Sequence, residues 1–242
     1  MNKYDYSIHY SIYHNQSKES NEESTQYMKS VLHSYMNVST DSKILDIGCG
    51  FGFALLALKE MGFNNVEGLE ISQEQADVCI KHGLKVTVDN NSIEWLLKRK
   101  NEFDVVILFD VLEHIPVDKQ IDFVRAIYFA LKSGGKILVQ VPNANSILSS
   151  RWRYIDYTHF SSFSENSLYF VLKNAGFENI NIENSKGTGK LYFRFWKKSG
   201  WKKFRRRFVR WCWLQVYKAE IPFENIDRMS FELNLMCEAK KI

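Results

Sequence analysis

The sequence of 242 residues lacks the features that mark several classes of protein. It has no apolar run of about 18 uncharged residues, which a membrane-spanning helix needs. Its first ten residues are polar, so no secretory signal is evident. The four cysteines show neither metal-ligand spacing nor a disulfide framework: Cys49, Cys79, Cys212 and Cys237. The expectation is a cytoplasmic protein with reduced thiols and no bound metal.

The sequence also has little excess of one charge over the other. The net charge is only +4, which is too small to argue for a nucleic-acid partner by itself. The positive residues gather between Lys197 and Arg210 instead. No internal repeat and no long linker divides the chain, and one α/β domain of this length can bury a full core.

Apolar segments alternate between two types along the chain. Short Val/Ile/Leu runs predict strands, and segments with helical spacing between them predict helices. This order predicts a doubly wound, Rossmann-like α/β fold, with a mainly parallel sheet covered by helices on both faces. We expect seven strands, the last of them antiparallel, at 43–48, 65–70, 85–88, 103–110, 136–141, 177–183 and 231–239. Helices are predicted at 22–36, 53–61, 73–82, 93–100, 119–131 and 165–174.

The clearest motif lies at residues 44–52, which read Ile-Leu-Asp-Ile-Gly-Cys-Gly-Phe-Gly. Glycines after a strand let the backbone turn tightly and let a ligand approach closely. A dinucleotide site spaces its third glycine one residue later, so that alternative fits less well. Asp46, at the end of the strand, suits an ammonium group or an ordered water.

Two further acids follow in order. Glu70 ends the second strand about 20 residues after the loop, where a carboxylate accepts both ribose hydroxyls. Asp110 ends the fourth strand and is followed by Val-Leu-Glu-His-Ile-Pro. Together these residues resemble the class I S-adenosylmethionine-dependent methyltransferases over roughly residues 43–142. A fold relic without catalysis is the competing interpretation, and the intact motif argues against it.

The resemblance implies a cofactor site for S-adenosylmethionine. The glycine loop would lie against its methionine part, the acid of the second strand would hold the ribose, and the residues after the fourth strand would flank the sulfonium. At the adenine contact the acid common in the family is replaced, although Ser92 can still bond the adenine amino group. The predicted cofactor-binding residues are Asp46, Gly48, Cys49, Gly50, Gly52, Glu70, Ile71, Asn91, Ser92, Ile93, Asp110 and Val111.

A hydroxyl acceptor needs a base, and two histidines are candidates because their ordinary pKa lies near working pH. His114 follows the fourth strand, where support of the loop is an equal alternative. His159 lies in an Asp-x-Thr-His-x-x-x-Phe pattern that resembles, more loosely, bacterial methyltransferases of surface-polysaccharide or secondary-metabolite pathways. We expect His159 to be the better base.

The acceptor is expected to be a small, anionic molecule. Arg153 and Tyr157 are predicted to bind a phosphate or a sugar nucleotide, although a surface salt bridge is an equally common role for such an arginine. Residues 1–40 are predicted to form a helical lid in which Tyr13 and His14 fold over the site, with simple hydrophobic cover as the alternative. The methyltransferase domain then spans 41–242, with a substrate loop at 143–163.

A basic aromatic insertion is predicted within residues 190–225. On a helix, one face would carry Trp201, Phe204, Phe208, Trp211 and Leu214, and cations would fill the other. The favoured interpretation packs the aromatic face on the sheet. Peripheral contact of residues 196–214 with an anionic membrane is the second interpretation, and contact with a polyanionic acceptor or a nucleic acid is the third.

Three functions compete. The first is O-methylation of a phosphate or sugar hydroxyl in a capsule or lipopolysaccharide precursor. The second is methylation of a quinone-type or natural-product metabolite, and the third is a membrane- or RNA-binding module without catalysis. Methylation of a nucleic-acid base is disfavoured, because Asp110-Val-Leu-Glu113 stands where a flipped base would need an Asn/Asp-Pro-Pro-aromatic segment.

Overall fold

The computed structural model describes residues 18–184, 198–221 and 229–242. Its helices are α1 (Lys18–Leu32), α2 (Phe53–Glu60), α3 (Gln73–Lys81), α4 (Ser92–Leu97), α5 (Gln120–Ala130), α6 (Ser149–Ile155), α7 (Glu165–Ala175) and α8 (Lys198–Glu220). Its strands are β1 (Ile44–Ile47), β2 (Val66–Glu70), β3 (Val86–Val88), β4 (Phe103–Phe109), β5 (Leu131–Pro142), β6 (Glu178–Asn184) and β7 (Asn234–Lys240). None of the described helices is both long and apolar enough to cross a bilayer.

The seven strands form one sheet in the order β3-β2-β1-β4-β5-β7-β6. The first five in this order are parallel, and β7 runs antiparallel to both of its neighbours. The predicted Rossmann-like fold, with seven strands and the last antiparallel, is therefore confirmed. After β3 the chain crosses to the other side of β1 and forms β4 there. The strands β1 and β4 therefore lie side by side at the centre of the sheet, with their carboxyl ends together.

The core has one layer on each face of the sheet. Successive residues of β1 and β4 alternate between these layers, because side chains in a strand point to opposite faces. Ile44 and Val105 join the layer under α1, α2 and α3, whereas Leu45 and Val106 join the layer under α4, α5 and α7. Near-continuous apolar strands are buried on both faces, as a parallel sheet requires.

The predicted N-terminal lid, residues 1–40, is described from residue 18 onward. Its described part, α1, packs against α2 through Val31 and Leu32, in the core on one face of the sheet. This segment is therefore a cover for the sheet. Residues 1–17, including Tyr13 and His14 of the proposed lid, lie outside the described residues, so that role stays a prediction.

Helix α8 corrects the favoured interpretation of the basic segment. Its aromatic face does not pack on the sheet: Trp201 is 68% exposed, Phe204 46%, Phe208 53% and Trp211 57%. Both faces of the sheet are already covered by other helices, so no sheet surface is available for this stripe. The helix attaches to the domain through its opposite side instead.

Candidate active site at the carboxyl ends of the parallel strands

A pocket of about 840 Å³ opens where the central strands end. Ile47 and Gly48 line it from β1, Glu70 from β2, Asp110 from the turn after β4 and Pro142 from β5. The volume lies in the range of small-molecule sites, and its position is that of ligand sites in doubly wound sheets.

The first glycine of the loop is required by close packing. Gly48 has a φ of 69°, and a Cβ there would lie 2.4 Å from Cγ2 of Val111. Its amide donates to the carbonyl of Leu69 at 2.7 Å. The ends of β1, β2 and β4 therefore meet at a residue that has no room for a side chain.

Two further residues of the loop pack against the core. A Cβ on Gly52 would lie 2.5 Å from Leu84 and 2.9 Å from Cys79, and the buried side chain of Cys49 belongs to the same core layer. Cys49, Gly50 and Gly52 are not among the pocket-lining residues. The side chain of Cys49 is therefore committed to the core, and the predicted cofactor contacts of Cys49, Gly50 and Gly52 stay predictions.

Glu70 organises the loop. Its carboxylate is buried, with one oxygen accepting from the amide of Gly50 at 2.9 Å and the other from the amides of Ile71 and Ser72 at 2.8 and 2.9 Å. A carboxylate offers about four acceptor positions, so these bonds leave capacity for a ligand hydroxyl. Glu70 and Ile71 both line the pocket, where the ribose contact was predicted.

Asp46 lies behind the loop and is not a lining residue. It is 4% exposed, and burial, followed by the charge of Glu70, raises its pKa to about 8. A cationic group bound nearby would stabilise its ionised form. The position thus suits the predicted ammonium contact, which stays a prediction.

The predicted adenine contacts lie at the start of α4. Asn91 caps this helix by accepting from the amide of Glu94 at 3.4 Å, and its Nδ2 donates to the Glu94 carboxylate at 3.0 Å. Ser92 and Ile93 follow in its first turn, and all three predicted residues line the pocket. The Asn91 side chain is committed to the cap, which leaves Ser92 as the neighbouring polar side chain for a base.

Asp110 stands in a strained conformation after β4. Its φ is 55°, a left-handed value that non-glycine residues seldom adopt. Its Oδ2 accepts from Gln140 Nε2 at 2.9 Å. Withdrawal from bulk water raises its pKa to about 6, and the bond from Gln140 partly opposes that rise. Asp110 and Val111 both line the pocket, at the predicted sulfonium end.

Two histidines meet beside this turn. The rings of His114 and His159 lie edge to face with centroids 4.6 Å apart, and both line the pocket. The buried carboxylate of Asp156 lies between them, with Oδ2 4.0 Å from Nε2 of His114 and 3.7 Å from Nε2 of His159. The structure therefore joins both predicted bases in one cluster.

Hydrogen bonds orient both rings. His159 Nδ1 lies 2.8 Å from the carbonyl oxygen of Trp152, which can only accept, so this nitrogen carries a proton. The Thr158 hydroxyl donates to Asp156 and therefore accepts from Nδ1 of His114, 2.8 Å away. In each neutral ring, Nε2 is then the basic nitrogen.

Glu113, next to His114 in the chain, also lines the pocket. It is 1% exposed, and its Oε2 has no hydrogen-bond partner among the described residues. Burial, followed by the charge of Asp110, raises its pKa well above the ordinary value. Ligand atoms of Glu113, His114 and His159 lie within 4.8 Å of one another, so this group could hold a metal ion. The expectation of no metal stays a prediction.

The substrate loop at 143–163 is closed at its base. The amide of Ala144 donates to Phe163 at 2.8 Å, and that of Phe163 donates to Pro142 at 2.9 Å. The buried side chain of Asn143 donates to the carbonyls of Ser230 and Glu232 at 2.8 and 2.9 Å. These bonds hold the loop, which contains α6, over the pocket.

Two predicted acceptor contacts do not enter the pocket. Arg153 lies 5.2 Å from the ring of Tyr154, and Tyr157 is 88% exposed. Neither is a lining residue. The residues of α6 and of the turn after it that do line the pocket are Trp152, Ile155 and Asp156.

Sequence reasoning missed several lining residues. Asp156 was quoted within the Asp-x-Thr-His pattern, and its two-residue spacing before a threonine is a signal for the turn that it forms. Glu113 belongs to the segment after the fourth strand, but no role was predicted for it. The others carry no local signal, because distant segments bring them to the pocket: Trp152, Ile155, Leu233 and Asn234.

A family model described as a methyltransferase domain matches residues 21–182. This segment is more than half of the chain, so the chain belongs to that family. The predicted class, an S-adenosylmethionine-dependent methyltransferase with this cofactor, is thereby confirmed.

Curated relatives are similar in sequence to parts of the chain. A ubiquinone biosynthesis O-methyltransferase of Idiomarina loihiensis is 36% identical over 108 residues, which cover 43% of each chain. A protein of the same name from Rickettsia bellii is 29% identical over 178 residues, covering 66% of this chain and 70% of its own. Phosphoethanolamine N-methyltransferase 3 of Arabidopsis thaliana is 28% identical over 160 residues, covering 62% and 31%. The first of these matches thus spans less than half of the relative's length.

Solved structures share the fold. A SAM-dependent methyltransferase from Archaeoglobus fulgidus superposes with a TM-score of 0.67 and 22% identity, covering 98% of this chain and all of its own. Phosphoethanolamine N-methyltransferase 2 of Haemonchus contortus, bound to S-adenosylhomocysteine, gives 0.60 and 21%, covering 89% and 53%. At these identities the comparison supports the architecture alone.

Proposed function

We propose that this chain transfers the methyl group of S-adenosylmethionine to a hydroxyl of a small aromatic acceptor of the phenol or quinol type. The observation that carries the proposal is the His114–Asp156–His159 cluster beside Asp110 and Val111. A base therefore stands at the end of the pocket where the sulfonium is expected. The ubiquinone biosynthesis O-methyltransferases among its relatives support the same class of acceptor.

The lining of the acceptor side favours an apolar ring. Apolar side chains line the same pocket as the histidines: Ile115, Phe123, Trp152, Ile155 and Leu233. Among the described lining residues, Lys119 is the only lysine or arginine. A phosphate group would need more positive charge than this, so the surface-polysaccharide precursor of the sequence analysis receives less support than the quinone-type acceptor.

The bound cofactor supplies an electrophilic methyl group on its sulfonium. The acceptor would take this methyl group with release of S-adenosylhomocysteine, and its hydroxyl proton would pass to Nε2 of His159. The Trp152 carbonyl holds the opposite nitrogen, so the ring presents Nε2. Asp156 then stabilises the positive charge on the ring. The products are a methyl ether and S-adenosylhomocysteine.

Release of S-adenosylhomocysteine from a panel of acceptors tests this function. The panel contains a catechol, a hydroxylated quinol, a hexose phosphate and phosphoethanolamine, each with and without a chelator. Turnover of the first two supports the proposal. Turnover of the sugar or amine alone would overturn it, and cofactor binding without any product would favour the non-catalytic module. Loss of turnover with the chelator would assign Glu113, His114 and His159 to a metal.

A matched pair of tryptophan variants tests the aromatic acceptor pocket. Trp152→Ala removes a pocket wall, so we expect the KM for the catechol to rise about tenfold, as one lost apolar contact implies. Trp201→Ala removes a tryptophan that is 68% exposed on α8 and should leave this KM unchanged. Equal effects of both variants would contradict the assignment.

A further inference from the structure

The outward side of α8 carries a continuous aromatic stripe. Phe204 and Phe208 are stacked with ring centroids 6.4 Å apart, and Phe208 and Trp211 are stacked at 6.1 Å. Trp201 extends the row, 6.0 Å from Phe204. These four side chains, here called the aromatic stripe, are all between 46% and 68% exposed. A solvent-exposed row of this size is unusual for a protein surface without a partner.

Cations border the stripe on both sides. At about 100° per residue, Arg205 projects beside Trp201, and Arg207 projects beyond Phe204 on the other edge. Both arginines are exposed. The helix contains eight lysines and arginines, and its single acid is Glu220 at the last position. The exposed face is thus apolar at its centre and positive at its margins.

The opposite side of α8 fixes this orientation. Trp213 donates from Nε1 to the carbonyl of Asn145 at 3.1 Å, and Arg210 forms an ion pair with Glu232. The ring of Tyr217 packs edge to face on Phe231 at 5.1 Å. The aromatic stripe is therefore turned away from the domain by contacts already made, rather than left over from an incomplete core.

We propose that α8 is an interfacial helix that binds an anionic bilayer, with the aromatic stripe in the boundary between headgroups and acyl chains. Tryptophan and phenylalanine favour that boundary, and flanking arginines reach anionic headgroups from the same face. The charge argues for this occupant over a second copy of the chain, because pairing two such faces would bring like charges together. The charge and the aromatic stripe together also favour a bilayer over a nucleic-acid duplex, because the phosphate backbone of a duplex offers no partner to the apolar row.

The attachment points place this surface next to the pocket. Asn145 belongs to the substrate loop, and Glu232 precedes Leu233 and Asn234, which line the pocket. A bilayer bound by α8 would thus lie beside the acceptor side of the site. The membrane contact does not depend on which acceptor is methylated, since vesicle binding is measured without substrate.

Co-sedimentation with vesicles of phosphatidylcholine alone, or mixed with phosphatidylglycerol, tests the proposal. We expect the chain to bind the mixed vesicles at low salt and to bind more weakly at high salt, because salt screens the arginines. Failure to bind the mixed vesicles at low salt overturns the proposal.

Phe208→Ser should lower the partition coefficient about tenfold. Its matched control is Phe170→Ser, which removes an exposed phenylalanine from α7 and should change nothing. The double variant Arg205→Glu and Arg207→Glu should weaken binding to the mixed vesicles more than about tenfold. Its control is Lys81→Glu with Lys100→Glu, an equal change of charge at exposed positions elsewhere.

Two outcomes would identify a different occupant. Binding lost only with the arginines, and unchanged by Phe208→Ser, would indicate a polyanion such as RNA and overturn the interfacial helix. A dimer in sedimentation that Phe208→Ser dissociates, without vesicle binding, would assign the stripe to a second copy. Cofactor affinity and the melting temperature are measured for each variant, and both should be unchanged, so a failure of this proposal differs from a failure of the methyltransferase site.

Discussion

The two sides of the pocket are constructed in different ways. The cofactor side is a set of strand ends: Gly48 follows β1, Glu70 closes β2 and Asp110 follows β4. The acceptor side consists of a turn and a loop that depend on distant segments, such as the bond from the Phe160 amide to the Glu113 carbonyl at 2.7 Å. The first side is therefore specified by short contiguous motifs, and the second by long-range contacts.

The two sides also differ in their ionisable groups. Both contain buried carboxylates, namely Asp46 and Glu70 on the cofactor side and Glu113 and Asp156 on the acceptor side. The acceptor side adds two imidazoles, which move protons near neutral pH. The difference predicts that variants of the first side change cofactor binding and variants of the second change turnover.

The largest effect should come from His159→Asn. Loss of the base should lower kcat by about 10²–10⁴ while the Kd for S-adenosylmethionine, measured by calorimetry, stays unchanged. His82→Asn, an exposed histidine after α3, is the control and should be neutral. A change in Kd equal to the change in kcat would abolish the distinction between the two sides.

Glu70→Gln should have the opposite signature. The amide cannot accept all the bonds from Gly50, Ile71 and Ser72, so we expect the affinity for S-adenosylmethionine to fall about 100-fold. Glu67→Gln is matched, because this residue is also buried on β2 but pairs with Lys43 and Lys85. If both variants bind alike, Glu70 has no special role in the site.

A pair of alanine variants examines the close packing where β1 and β4 end. Gly48 and Gly83 both have a φ of 69°, but a Cβ would strike Val111 only at Gly48 and would meet nothing within 4 Å at Gly83. Chemical denaturation should show a loss of about 1 kcal/mol for Gly83→Ala, from backbone strain. Gly48→Ala should lose about 3 kcal/mol, because a clash is added. Equal losses would mean that strain alone matters.

The smallest effect concerns pH. Burial raises the pKa of Asp46 from 3.8 to about 8, so the folded state holds this proton more tightly than the unfolded state. The resulting stabilisation is complete below pH 3.8 and is lost as the pH rises through 8. Asp46→Asn should reduce the fall in unfolding free energy between these values by at least about 1 kcal/mol. Asp41→Asn, at an exposed position, should leave the slope unchanged, and an unaltered slope in Asp46→Asn would contradict the shift.

The fold was predictable because its determinants are local. Val105, Val106, Ile107 and Leu108 form an apolar run typical of a strand buried on both faces. The cofactor side followed from the same kind of signal. Its loop glycines, however, could not be divided by sequence into those at the pocket and those in the core.

The acceptor side was less predictable for a physical reason. Which face of α6 points inward depends on the bonds that close its loop, so Arg153 and Tyr157 were expected in the pocket while Trp152 and Ile155 line it. The prediction that the aromatic residues of α8 share one face was correct. Whether that face packs on the sheet or points to solvent depends on whether other helices already cover the sheet. Neither the inward face of α6 nor the direction of the aromatic stripe can be predicted from a short segment of sequence.

The side chain of Asn143 has a practical consequence for engineering. This side chain is fully buried. Its Nδ2 donates to the carbonyls of residues 230 and 232, and its Oδ1 accepts from the backbone amide of Asn145 at 2.9 Å. The loop and the segment before β7 therefore form a single exchangeable part, although about 90 residues separate them. A graft that moves acceptor preference between two such enzymes must carry both segments together.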